Sequence, residues 1–179
     1  MIIAIDPGPE ESAIVCYVES ASVGYECGQP IEWSIGPNEY IRREIIDMAS
    51  RYDDATTLAI EYTPPYSLQT TSGRHYVPNQ VALTAIEIGR FVQLWSVYER
   101  PAVLVSRMDV KKHLLGRATG NDAAITQAIL ARYGGTRENA VGKKTSPGPL
   151  YGLKRDLWSA LAVAITWDET GYLKAKAVI

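Results

Sequence analysis

The chain opens on Met1-Ile2-Ile3-Ala4-Ile5-Asp6-Pro7-Gly8. An apolar run stops at one carboxylate, and two turn formers follow at once. Such a run reads as a strand buried on both faces. Strands of that kind lie in the middle of sheets covered by helices. Asp6 then stands at the strand's carboxyl end, the edge where open α/β sheets place their ligands. A buried carboxylate is costly without a partner. Asp6 either meets partners supplied by the rest of the chain or simply caps the turn.

The pattern recurs at Thr56-Thr57-Leu58-Ala59-Ile60-Glu61. Before it, residues 13–18 read as a second strand, antiparallel to the first across a short loop. Residues 19–30 read as a loop, and 31–35 alternate like a half-buried edge strand. Pro37-Asn38 starts a helix to about residue 52, with Ile41, Ile45, Met48 and Ala49 at helical spacing. Strand, helix, strand in that order favours a right-handed parallel crossover. If the two carboxylate-ended strands are neighbours, Asp6 and Glu61 emerge together.

Residues 62–78 form a long loop carrying Tyr62, Tyr66, Arg74, His75 and Tyr76. Aromatic and basic residues beside paired acids suit contact with unstacked bases; a plain surface loop is the other reading. Residues 79–98 read as a long, mostly buried helix and 102–105 as a buried strand. A short helix over 107–115 carries Lys111, Lys112 and His113. Asn121 caps a helix through Arg132, and Gly134-Gly135 ends it. The polar stretch 136–150, with Lys143 and Lys144, reads as a mobile basic loop. A last helix is expected from about 153 to 168, with Asp156 and Ser159 on one side of it.

The 179 residues suit one domain spanning the whole chain, 1–179. Apolar content of 46% against 21% charged residues predicts a globular chain. Cys16 and Cys27 form no C-x-x-C pair, which argues against a structural zinc site. A reducing cytoplasm is the expected location. No basic leader precedes an apolar segment, and no run is long enough to cross a bilayer. The formal charge of −2 gives no global pull toward nucleic acid, so any such binding uses local patches.

Asp6 and Glu61 end buried strands, and Asp156 lies near the start of the last helix. If that helix crosses the sheet edge, the three carboxylates converge. They would repel one another without cations. Hard divalent ions fit oxygen ligands, and paired ions about 3.5–4 Å apart are the usual device for phosphodiester hydrolysis.

Ile3-Ala4-Ile5-Asp6-Pro7-Gly8, Leu58-Ala59-Ile60-Glu61 and Asp156-Leu157-Trp158-Ser159-Ala160-Leu161-Ala162 resemble the RuvC family of Holliday junction resolvases. So does Lys111-Lys112-His113-Leu114-Leu115-Gly116 with Gly120-Asn121. The likeness spans residues 1–167. It implies an α/β, ribonuclease H-like fold with a five-stranded mixed sheet flanked by helices. It implies Mg²⁺ or Mn²⁺, two ions, held by Asp6, Glu61 and Asp156, and a homodimer that cuts four-way DNA junctions. Ser159 stands where the family usually carries an acid, and would orient metal-bound water without neutralising charge. Asp109 and Asp122 could replace that acid by residue type only.

Arg107, Lys111, Lys112 and Arg117, and again Lys143, Lys144, Lys154 and Arg155, are expected to contact phosphates, or else to form solvated faces. Tyr62 or Tyr66 would wedge into the junction centre. The 79–98 helix is the candidate dimer surface, unless it is buried in a monomer. Two other classes compete with a junction endonuclease. One is a non-catalytic branched-DNA-binding protein of the same fold. The other is an actin-like or sugar-kinase-like ATPase, suggested by Asp6-Pro7-Gly8 but lacking a second phosphate-binding half.

Overall fold

The structure is a computed structural model that describes residues 1–23, 27–52, 56–64 and 79–171. Strands β1 (Ile2–Asp6), β2 (Glu11–Val18), β3 (Gln29–Pro37), β4 (Thr57–Tyr62) and β5 (Ala102–Ser106) form one sheet in the order β3-β2-β1-β4-β5. β1, β2 and β3 make the antiparallel meander expected from their short connections. β4 then lies parallel to β1, with Ile60 opposite Ile5, and β5 lies parallel to β4. The result is the mixed five-stranded α/β sheet implied by the resemblance.

Helices α1 (Ser20–Val23), α2 (Asn38–Arg51), α3 (Asn79–Ser96), α4 (Arg107–Leu115), α5 (Asp122–Arg132), α6 (Arg137–Ala140) and α7 (Leu157–Thr170) complete the described elements, with a two-stranded hairpin of β6 (Gly142–Lys143) and β7 (Ser146–Pro147). Side chains alternate across a strand, and the sheet uses that period to feed two cores. Ile3, Ile5, Ile14, Cys16, Leu58 and Ile60 pack with Ile41 and Ile45 of α2 and Phe91 and Trp95 of α3. Ala4, Ala13, Val15, Ala59, Val103 and Val105 face the other way, into the core built with α4, α5 and α7. That second face carries Ala4, Ala13 and Ala59 at its middle, and α7 adds Ala160 and Ala164, one helical turn apart. Short side chains on both surfaces let the helix seat close to the sheet, since interiors tolerate no gap between them.

Three expectations are corrected. α3 is not mostly buried: Glu87, Phe91 and Trp95 are its buried residues, while Leu83 and Ile86 are 49% and 52% exposed. It lies in an outer layer beside α2, so only the stripe at four-residue spacing turns inward. Glu87 is buried because Arg42 of α2 meets it at 2.6 Å and Arg90 also pairs with it. Residues 136–150 are structured rather than loop. Thr136 Oγ1 accepts the Asn139 N–H to start α6, and the Gly148 and Leu150 N–H groups bond back to Val141 and Ala140. The last helix begins at Leu157, because Arg155 at φ 50° lies outside the helical basin.

Candidate active site

The parallel register of β1 and β4 sets Asp6 and Glu61 side by side, one residue beyond the Ile5–Ile60 pair. By strand parity they share a face with Ala4 and Ala59, the α7 face. Their carboxyl groups are close enough for each to perturb the other. Glu61 is 5% exposed and Asp6 half-buried.

The turn after Asp6 is fixed from below. Ser12 Oγ accepts the Gly8 N–H at 3.2 Å and donates to Asn38 Oδ1 at 2.6 Å. Asn38 Nδ2 donates to the Gly8 carbonyl at 3.1 Å, and the Asn38 N–H to the Glu10 carbonyl at 2.9 Å. A Cβ at position 8 would come within 2.3 Å of the Glu11 carbonyl oxygen, so only glycine fits.

A cation enters from the next strand. Glu61 pairs with Val105 and Tyr62 with Ser106. Ser106 Oγ accepts the Asp109 N–H and caps α4, which makes Arg107 its first residue. Arg107 Nη1 donates to Glu61 Oε2 at 2.8 Å, and Nη2 to Asp122 Oδ1 at 2.7 Å. Asp122 is held there by the Asn121 cap at the start of α5.

Burial pushes the Asp6 carboxyl well above its ordinary range, and the Glu61 charge pushes the same way. Burial raises Glu61 too, against the opposing pull of Arg107. Arg107 offsets part of that rise, most directly at Glu61, whose carboxylate its guanidinium contacts. Asp156 adds a smaller repulsion on Asp6. It is exposed, at the N-cap of α7, and makes no capping hydrogen bond with its side chain. Ser159 is half-buried on the first turn of α7. Among the described residues, no three His, Cys, Asp or Glu side chains group closely enough to hold a metal ion.

A cavity of about 700 Å³ runs from Asp6 and Glu61 along α3, lined by Pro7, Tyr62, Val81, Ile88 and Leu104 among others. Half-buried Tyr62 is thus beside the acids, while Tyr66 and Arg74, with His75 and Tyr76, lie outside the described residues. Lys143 and Lys144 are exposed on the β6–β7 hairpin, and Lys154 and Arg155 are exposed before α7. Arg155 reaches Glu11 at 3.4 Å and Lys112 reaches Asp109 at 3.5 Å; Lys111 is half-buried and Arg117 exposed.

Sequence reasoning read Arg107 as a phosphate contact and missed its place between two acids. It also missed the Ser12–Asn38 support. The one available signal was the short distance from Arg107 to the end of the apolar run 102–105.

No family model and no curated protein matches the sequence. Solved structures do match in fold. Thermus thermophilus RuvC superposes with a TM-score of 0.66 at 14% identity, covering 99% of each chain. The same protein in complex with Holliday junction substrate gives 0.63 at 12%, covering 99% of this chain and 98% of that one. A Fowlpox virus resolvase with substrate Holliday junction DNA gives 0.53 at 10%, covering 95% and 99%. The chain has the ribonuclease H-like fold of these resolvases.

Proposed function

We propose that the chain, as a single domain over 1–179, is a metal-dependent, structure-selective DNA endonuclease that resolves four-way junctions by paired phosphodiester hydrolysis. The observation that carries this reading is the Asp6–Glu61 pair. Two adjacent carboxyl groups stand at the carboxyl edge of the central strands, raised above their ordinary range by burial, with the Glu61 charge adding to the rise at Asp6. The solved structures of like fold that hold Holliday junction DNA support the choice of substrate.

The donor set fits a hard cation: two carboxylates whose charge the Arg107 guanidinium offsets in part. Mg²⁺ is commonly held by one or two carboxylates together with water and substrate phosphate. Asp6 and Glu61 would hold Mg²⁺ or Mn²⁺, and Asp156 would supply the third carboxylate for a pair of ions. Such ions polarise the phosphodiester and lower the pKa of bound water. The Ser159 hydroxyl orients water on the α7 side. Lys111, Lys112, Arg117, Lys143, Lys144, Lys154 and Arg155 attract the DNA backbone, and Tyr62, Tyr66 and Arg74 meet bases at the branch. The exposed Leu83 and Ile86 of α3, with Val97 just beyond it, form the surface of a homodimer that offers two sites to two strands. No helix among the described residues is long and apolar enough to cross a membrane, and Cys16 and Cys27, both thiols, accord with a reducing cytoplasm.

The test is cleavage of a fixed four-way junction, a linear duplex and an RNA–DNA hybrid, each in Mg²⁺, Mn²⁺ or EDTA. Paired cuts confined to the junction, dependent on metal and lost in Asp6→Asn and Glu61→Gln, are expected.

A second reading, a non-catalytic protein that binds branched DNA, is favoured by two features. Ser159 takes the place of an acid, and no three described acids form a metal-holding group. It predicts junction binding without nicks in either metal.

A further inference from the structure

Arg107 ties the buried acid to the surface. Its guanidinium bridges Glu61 at 2.8 Å and Asp122 at 2.7 Å. The side chains of Glu61, Arg107 and Asp122 are 7%, 32% and 76% exposed, so the three run from the interior outward.

We propose that Arg107 is a charge-exchange residue. Its guanidinium neutralises Glu61 until a divalent cation takes that carboxylate, then stays tethered to Asp122 and turns its freed N–H groups to a phosphate oxygen of bound DNA. This deepens the nuclease reading and rests on it. It names the group that the cation must displace and the side chain that then meets the phosphodiester.

Three observations carry the argument. First, Glu61 Oε2 is engaged by Arg107, and an oxygen that accepts a close N–H is blocked as a metal ligand along that direction. A guanidinium and a divalent ion on one carboxylate also repel each other. Second, the two ends of the bridge differ. The Glu61 end is desolvated, while the Asp122 end is open to water. When charge enters at Glu61, the exposed contact can persist because it loses nothing. Third, arginine suits the exchange. Its planar fork carries five donors, so one arm stays on a carboxylate while another binds phosphate. Arg107 is also the first residue of α4, next to the strand that flanks Glu61, so a change of rotamer suffices.

A fixed structural ion pair would behave differently. Its removal would lower stability and leave cation affinity unchanged or weaker.

The experiment titrates Mn²⁺ into metal-stripped protein by calorimetry at about pH 8, where ordinary carboxylates are ionised. Wild type, Glu61→Gln and Arg107→Gln are compared. Arg107→Gln is expected to bind Mn²⁺ on the order of tenfold more tightly. Its junction affinity should fall several-fold in Ca²⁺ but hardly in EDTA, because the guanidinium reaches phosphate only after exchange. Equal or weaker Mn²⁺ binding by folded Arg107→Gln would overturn the exchange. So would an equal loss of junction affinity in EDTA and Ca²⁺. Should Arg107→Gln fail to fold, the wild-type Arg107 Nε–H resonance, assigned with Arg107→Lys, is followed by NMR. A shift at saturating Mg²⁺ supports the exchange, and an unmoved resonance overturns it. Wild type that binds no Mn²⁺, or binds it independently of Glu61, overturns the metal-dependent reading itself and the exchange with it.

Discussion

Ser12 and Asn38 are joined by a 2.6 Å hydrogen bond, both side chains buried, directly under the turn that carries Asp6 away from the sheet. The pair spends its polar atoms on Gly8, through the Gly8 N–H and carbonyl. Removing one member strands the others. Asn38→Ala should cost about 1–3 kcal/mol in urea unfolding, the range for leaving buried polar groups unsatisfied. Junction cleavage should fall with it, because the turn sets where Asp6 points. A variant with unchanged stability would show that the network is dispensable.

Asp6→Asn should have opposite effects on stability and function. The folded-state pKa of Asp6 is raised. Its contribution to stability is therefore full below the unfolded pKa and is lost as pH rises through the folded one. At neutral pH and without metal, a neutral amide removes that loss. Asp6→Asn should raise the metal-free Tm by a few degrees, about 2–4 °C for each kcal/mol in a chain of this size. Mg²⁺ should raise the Tm of wild type more than that of the variant. A lower Tm for the metal-free variant would contradict the raised pKa.

Glu169 should give the reverse dependence on pH. Burial pushes its carboxyl up, but hydrogen bonds from Arg132 and His113 outweigh burial and hold it below the ordinary 4.5. Arg132 Nε meets Glu169 Oε1 at 2.8 Å, which ties α5 to α7. With a depressed folded pKa, this stability is present above pH 4.5 and disappears as pH falls through the folded value. The difference in unfolding free energy between wild type and Glu169→Gln should therefore shrink steadily below pH 4.5. A difference that is constant across this range would rule the linkage out.

DNA affinity should report on the hairpin. Lys143 and Lys144 are exposed on the β6–β7 turn region. If both contact phosphates, replacing them by alanine should reduce the salt-dependence slope of junction binding by about 2. The loss should be similar for every junction sequence, since phosphate contacts do not read bases. An unchanged slope would assign these lysines to a merely solvated face.

Asp6 and Glu61 were legible because each ends an apolar run, and a parallel register between two such runs leaves their carboxylates no choice but to meet. Arg107 and Glu61 are 46 positions apart, and Ser12 and Asn38 are 26 apart. Those contacts depend on strand order, which periodicity does not encode. α3 was misread because its apolar count says nothing about which layer it occupies. The 136–150 stretch was misread for a different reason. Its order comes from a threonine cap and backbone hydrogen bonds, features that leave no hydrophobic period.

The alanine seam between the sheet and α7 acts as a shim. Ala4 and Ala59 precede Asp6 and Glu61 by two residues on the same face, and α7 begins beside Asp156 and Ser159. The thickness of that seam therefore sets the span across the mouth of the site. A single methylene added at Ala59 or Ala160 would lift one wall relative to the other while touching none of the polar groups. The spacing of the candidate acids is thus gauged by alanines packed beneath them rather than by the polar groups themselves.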